Sequence, residues 1–279
     1  MRELAGRTAV VTGGASGIGR ALVDRFAADG MNVVVADVDE EGLAATVAAL
    51  EGAGHRALGV RTDVSRLEDL RALGDAAIDA FGAVHVVCNN AGVVIGGRVE
   101  ELTEDEWRWV VEVDLWGAIH GVRVFLPLIE KAGEGHVVST ASTSGLVAPP
   151  FIAPYSVAKA GVVMLMEALR RELEARHSPI GASVLVPGPV NTALVASPRN
   201  RPDDLRHRSD TPEGRAFSEQ SGVYLATTGI EPDHVARLVV DGIRANRFWI
   251  LTHPEWQEVL QRRVAAIATT GQLTGRPGT

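Results

Sequence analysis

Tyr155 and Lys159 stand four residues apart in a stretch with helical periodicity. At this i, i+4 spacing a phenol and an ammonium share one helix face. A phenol has a pKa of about 10, too high for efficient proton transfer at neutral pH. A cation beside it favours the phenolate and lowers that value, so the pair can serve as a proton carrier. Taken alone, such a pair more often belongs to the solvated face of an amphipathic helix. Its chemistry therefore has to be argued from the rest of the chain.

The second chemical signal is the turn Thr12-Gly13-Gly14-Ala15-Ser16-Gly17-Ile18-Gly19 between a short apolar run and a helical pattern. Glycines let the backbone turn sharply and let a pyrophosphate approach, while a helix N-terminus offers free N–H groups and positive dipole. The spacing is not G-x-G-x-x-G, and a lone Gly-rich turn is also an ordinary strand–helix connection. Asp37 strengthens the signal. It lies twenty residues after Gly17, directly behind Val33-Val34-Val35-Ala36, where a carboxylate can take adenosine ribose hydroxyls. That carboxylate repels a 2′-phosphate, and no Lys or Arg in the turn or directly after Asp37 offsets it, so NAD is expected over NADP. Asp63-Val64 and Asn89-Asn90-Ala91-Gly92 follow two further apolar runs, where open α/β sheets place ligands.

The elements that must position these residues alternate along the chain. Continuous apolar runs at 8–11, 32–36, 56–60, 84–88, 136–139, 181–186 and 248–251 predict strands buried on both faces. Helical patterns at 18–29, 40–51, 67–81, 104–131, 156–176 and 232–245 separate them, and Thr103 with Glu106 forms a capping box before the fourth. This predicts an α/β fold, a single doubly wound Rossmann-type domain with a seven-stranded parallel sheet flanked by helices. The domain should span 1–269, with a loose tail at 270–279. Residues 192–229 are polar and proline-containing, and are expected to form a mobile loop over the site that closes on cofactor and substrate. A folded helical lid is the alternative.

Five motifs in order resemble the short-chain dehydrogenase/reductase family over nearly the whole chain. They are Thr12-Gly13-x-x-x-Gly17-Ile18-Gly19, Asn89-Asn90-Ala91-Gly92, Ser142 thirteen residues before the tyrosine, Tyr155-Ser156-Val157-Ala158-Lys159, and Pro187-Gly188-Pro189-Val190-Asn191-Thr192. The resemblance implies a nicotinamide-dependent oxidoreductase acting on an alcohol or ketone. Ser142, Tyr155 and Lys159 are the implied catalytic residues. Tyr155 would exchange the substrate proton, Lys159 and the nicotinamide ring would lower its pKa, and Ser142 would hydrogen-bond the substrate oxygen. Gly13, Ser16, Gly17, Ile18, Gly19 and Asp37 would hold the pyrophosphate and adenosine. Asp63 and Val64 would flank adenine, and Asn90 and Gly92 would lie along the cofactor. Lys159 would reach its ribose. Pro187 and Gly188 carry the loop from which Val190 and Thr192 would hold the nicotinamide amide. Where the family commonly has an asparagine that supports a water chain to the lysine, this chain has Asp114. It can still accept a hydrogen bond, with added charge and no amide donor. A non-catalytic NAD-binding regulator on the same fold is the competing reading, and the intact Ser142, Tyr155 and Lys159 argue against it. A sugar-nucleotide epimerase is a third, against which stands the absence of an obvious substrate domain.

The remaining signals bound the answer. A net charge of -8 opposes nucleic-acid binding. Neither a leader nor a membrane-spanning run is expected, which fits a cytoplasmic enzyme. Cys88, the only cysteine, reads as a small buried residue, and Ser139 and Ser144 read as strand or loop residues. No metal site is expected; His120 and His136 lack ligand spacing. Arg199, Arg201, Asp203, Asp204 and Arg206 read as a solvated face. Trp107, Trp109 and Trp116 read as packing in a core or subunit interface. Leu194, Phe217, Tyr224, Leu225, Val147 and Phe151 suggest a mainly apolar substrate. Family members usually pair through two long helices, here around 107–131 and 156–176, so a homotetramer or homodimer is expected.

Overall fold

The computed structural model describes residues 1–205 and 211–273. In chain order the elements begin β1 (Thr8–Thr12), α1 (Gly17–Ala28), β2 (Asn32–Asp37), α2 (Glu40–Gly52), β3 (Ala57–Arg61) and α3 (Leu67–Phe81). They continue with β4 (Val86–Asn89), α4 (Glu104–Val111), a π-helical turn (Glu112–Trp116), α5 (Gly117–Ala132), β5 (Gly135–Thr140) and α6 (Ala153–Ala175). The last part holds β6 (Ile180–Val186), α7 (Pro212–Thr228), α8 (Pro232–Arg244), β7 (Trp249–Leu251) and α9 (Trp256–Thr269). Among the described residues no helix is long and apolar enough to cross a membrane.

The strands form one sheet, ordered β3-β2-β1-β4-β5-β6-β7, with every adjacent pair parallel. Side chains alternate across a strand, so each apolar run feeds two cores. Val10, Val34, Val87 and Val137 pack under α3, α5 and α6 with Leu70, Phe125 and Met166. Val11, Val35, Cys88 and Val138 face the other way, against Leu22 and Phe26 of α1 and Val235 and Val239 of α8. This is why the strands read as continuous rather than alternating. The chain order reverses between β1 and β4, which opens a crevice at their carboxyl ends.

Three features depart from the sequence-based expectation. The long helix over 104–131 is broken at Glu112–Trp116 into a π turn, a device that re-aims one side chain inward and recurs at functional sites. Helix α9 was not expected, and α7 only within the alternative of a folded helical lid. Helix α7 buries no residue and α9 buries only Val259, so neither carries the apolar stripe that reveals a helix. The expected loop over 192–229 is largely folded instead, with 3₁₀ turns at Leu194–Asn200 and Asp203–Leu205 before α7. Thr211, whose side chain accepts from the Gly214 N–H, and Pro212 at the first turn are the start signal that marks α7. Arg206 and residues 274–279 of the expected tail lie outside the described residues.

Candidate active site

The crevice at the strand ends is a cleft of about 580 Å³. One wall is the turn after β1. Gly13 has φ +66°, and a Cβ there would stand 2.8 Å from the Ala91 Cα, so this glycine lets the β1 and β4 ends meet. A Cβ on Gly17 (φ +52°) would crowd the Thr192 side chain at 3.1 Å, and one on Gly19 would overlap the Gly13 carbonyl oxygen. Ser16 caps α1 without a side-chain hydrogen bond, and the first turn holds no acid. The N–H groups and the positive dipole end are thus open toward the cleft, which Ser16, Gly17 and Ile18 line. This cradle fits a pyrophosphate.

Asp37 lines the same cleft and does more than its sequence suggested. Its Oδ2 accepts from the Ala15 N–H at 3.0 Å and its Oδ1 from the Asp39 N–H at 3.1 Å. The carboxylate therefore ties the Gly-rich turn to β2 and keeps further lone pairs for ligand hydroxyls. Asn90 joins three strand ends. Its Nδ2 donates to the Thr12 carbonyl at 3.1 Å, and its Oδ1 accepts from the Thr140 hydroxyl at 3.2 Å. The Thr12 hydroxyl accepts from the Asn90 and Ala91 N–H groups at 3.0 and 3.2 Å. Thr12 opens the Gly-rich motif but was given no role of its own, and nothing in the local sequence marks Thr140 as a site residue. Asp63 accepts from Ser65 N–H and Oγ at 3.0 and 2.6 Å, fixing the turn into α3. Val64 beside it packs on Gly117. On the opposite wall stand Pro187, Gly188, Val190 and Thr192.

Ser142, Tyr155 and Lys159 meet on the cleft floor, at 7 %, 8 % and 3 % exposure. Ser142 caps the 3₁₀ turn Thr143–Gly145 and accepts from the Ser144 N–H at 3.1 Å. That turn lies directly on α6: a Cβ on Gly145 would stand 2.6 Å from the Lys159 carbonyl carbon. The close approach brings Ser142 and Tyr155 to the same part of the cleft. Lys159 Nζ donates to the Thr140 carbonyl at 3.0 Å and stands 3.1 Å from Asp114 Oδ2. The π turn delivers Asp114 to this spot. Its Oδ1 accepts from the Val93 N–H at 2.7 Å, and Gly92 leaves room for the Asp114–Lys159 pair beneath it.

The electrostatics add burial to the expected balance. Burial pushes the Tyr155 phenol above its ordinary value; Lys159 pulls it down, and Asp114 pushes it further up. The lowered phenol expected from the Lys159 neighbour is thus outweighed in the protein by itself. Burial also works against the charge on Lys159, but Asp114 and Tyr155 lift its pKa overall, so the ammonium is held charged. Asp114 is raised by burial, against the opposing pull of Lys159 and the Val93 N–H.

The outer wall contains residues the sequence assigned elsewhere. Trp109 is 3 % exposed and lines the cleft, with the Arg201 guanidinium 5.7 Å from its ring centroid. Arg201 is not on a solvated face; it is buried and stands 3.7 Å from Glu106. Arg199 and Asp204 line the cleft mouth, and Asp203 opens the second 3₁₀ turn. Of the apolar candidates, Leu194 and Leu225 line the cleft. Phe217 packs on Gly96, while Tyr224 and Phe151 are exposed. His120 and His136 are buried, with hydrogen bonds to the Val64 carbonyl and the Ser183 hydroxyl.

Residues 7–203 match the family model described as short chain dehydrogenase. A short-chain dehydrogenase/reductase from Burkholderia phymatum, whose crystal structure is a complex with NAD, superposes with a TM-score of 0.96 at 40 % identity over 99 % of each chain. The C alpha-dehydrogenase of Sphingobium sp. is 32 % identical over 96 % of this chain and 87 % of its own. The 3beta-hydroxysteroid dehydrogenase 1 of Eggerthella lenta is 36 % identical over 78 % of this chain and 80 % of its own.

Proposed function

We propose, from the premise that this chain belongs to the short-chain dehydrogenase family, that it interconverts an apolar alcohol and its ketone with NAD as the preferred cofactor. Family membership makes it a nicotinamide-dependent oxidoreductase that transfers hydride, not the non-catalytic regulator on the same fold. The observation that carries the finer reading is the meeting of Ser142, Tyr155 and Lys159 at the bottom of a cleft whose other end is the open α1 N-terminus.

The nicotinamide, when bound, accepts or supplies the hydride. Everything else falls to the chain. Ser142 holds the substrate oxygen by a hydrogen bond and stabilises charge that develops there. Tyr155 takes the alcohol proton as the hydride leaves, or returns it in reduction. Lys159 favours the phenolate, and its ammonium is kept charged by Asp114. An oxidised nicotinamide ring held by this cleft would add positive charge near the phenol and so oppose the upward push of burial. Asp37 supports the NAD preference because its carboxylate repels a 2′-phosphate, and the Burkholderia relative was solved with NAD. Leu194, Leu225 and Trp109 supply an apolar wall, in keeping with a relative named for a hydroxysteroid. A homodimer or homotetramer follows from the family resemblance, and exposed Trp116, Val157 and Met164 on the helices concerned agree with it.

The test is reduction of NAD and of NADP, followed by the absorbance of the reduced nicotinamide, on a panel of apolar and polar secondary alcohols. Turnover of apolar alcohols with NAD is expected. Turnover confined to polar alcohols, or to NADP, would overturn the finer reading.

A further inference from the structure

The loop Pro187 to Thr192 is held from three sides. Thr143 N–H donates to the Pro187 carbonyl at 3.0 Å, from the turn that carries Ser142. Ile230 N–H donates to the Pro189 carbonyl at 3.1 Å, and Asn191 N–H donates to the Ile230 carbonyl at 2.9 Å. Both of these anchors are backbone to backbone. The third is made by side chains. Thr252 and His253 directly follow β7 and are 5 % and 7 % exposed. Gly188 N–H donates to Thr252 Oγ1 at 3.1 Å, and Thr252 Oγ1 stands 2.6 Å from His253 Nδ1.

We infer that Thr252 and His253 form a clamp that positions the Pro187–Gly188–Pro189 loop for the nicotinamide end of the cofactor, with His253 as a positioning residue. The inference rests on the reading that this loop carries the cofactor.

Donor counting supports it. Thr252 accepts from Gly188, and its single hydroxyl proton is then free to point at Nδ1. The Thr252–His253 contact is closed by that proton or by one on Nδ1, and the ring also neighbours Pro189. Gly188 is thereby held by one hydroxyl and packed against one neutral imidazole. The fit is steric as well. A Cβ on Gly188 would lie 2.7 Å from His253 Nδ1 and 2.8 Å from its Cγ, so the ring rests against the bare glycine backbone. The charged groups facing the ring are Glu255 on its own segment and His234 on α8. Burial, the main cause, keeps its pKa below the ordinary value against the pull of Glu255, so the ring stays neutral at pH 7. His253 does not line the cleft, and it acts through Gly188, Val190 and Thr192, which do.

The experiment uses the full chain with His253→Ala, His253→Asn, Thr252→Val and the double variant His253→Ala/Thr252→Val. NADH affinity is read by fluorescence titration, Tm without cofactor by calorimetry, and KM for NAD and kcat by turnover. His253→Ala and Thr252→Val are each expected to weaken NADH binding and raise KM for NAD about tenfold, the scale of one lost buried hydrogen-bond pair. The fall in kcat should be smaller. The double variant should be no worse than either single one, because both belong to one network. Asparagine places an acceptor near the position of Nδ1 and should recover most of the loss. Unchanged NADH affinity in Thr252→Val and in any His253 variant that folds, whatever their Tm, would overturn the clamp. So would equal losses in the Asn and Ala variants. Wild type that fails to bind NADH would overturn the cofactor reading instead, and the two failures are distinct.

Discussion

The floor of the cleft and its roof are built on opposite plans. On the floor, functional side chains cluster around the strand ends and are tied across the sheet. Asn90 joins β1, β4 and β5, Asp37 joins the Gly-rich turn to β2, and Lys159 bridges Thr140 and Asp114. The roof, residues 193–205 with α7, is held by side-chain contacts rather than by the sheet: Arg201 lies between Trp109 and Glu106, and Leu205 is buried among apolar side chains. Ser197 exchanges hydrogen bonds with the Val94 backbone at 2.9 and 3.3 Å, Arg98 pairs with Glu213 at 2.6 Å, and Phe217 rests on Gly96. A floor tied into the sheet suits chemistry that needs fixed distances, while a roof whose helix α7 buries no residue suits substrate entry and choice.

Four variants break or sharpen that contrast. Around Tyr155, the largest loss is expected from Lys159→Ala, which should cut kcat about 10²–10³-fold and also weaken NAD binding. It leaves Asp114 buried without its cation and should lower Tm as well. A change in Tm alone would make Lys159 structural. Asp37→Ala should narrow the preference for NAD over NADP about tenfold, measured as the ratio of kcat/KM values; an unchanged ratio would leave Asp37 only its bond to Ala15.

Asp114→Asn tests the floor's electrostatics. Asp114 raises the Tyr155 pKa, so removing its charge lets the phenol ionise at lower pH. The rise of kcat/KM for alcohol oxidation should move to lower pH, and a shift to higher pH would contradict the assigned sign. The smallest effect is expected at the roof. Ser197→Ala should speed amide exchange in residues 94 and 194–200 and raise the substrate KM several-fold with little change in kcat. Equal, slow exchange throughout 193–205 and α7 in wild type, with and without ligands, would make the roof a fixed lid rather than a closing one.

How much of this the sequence revealed follows the same division. The strands were legible because Val33-Val34-Val35-Ala36 and its counterparts are buried on both faces and leave no alternation. The motif residues on the floor were legible because glycines at a turn and a Tyr–Lys pair carry their spacing with them. The π turn was not, since one extra residue per turn hardly disturbs the apolar pattern of 104–131. Helix α7 was obscured by its polar, unburied surface, and the burial of Arg201 depends on Trp109 and Glu106, almost a hundred residues upstream. The balance at Tyr155 was half legible for a related reason. The lysine is visible in sequence, but the burial that outweighs it exists only in the fold. Thr252 and His253 likewise carry no local motif; they gain a role only where β7 ends beside Gly188.

The central claim is that Tyr155 is the proton carrier, with Ser142 and Lys159 supporting it on the same floor. Tyr155→Phe tests it most directly, with turnover and NADH affinity measured on the same preparation. Phenylalanine keeps the ring and removes the ionisable oxygen. The account predicts a fall in kcat of about 10³-fold or more, with NADH affinity nearly unchanged. A variant that keeps most of the wild-type rate would contradict it and remove Tyr155 from the mechanism.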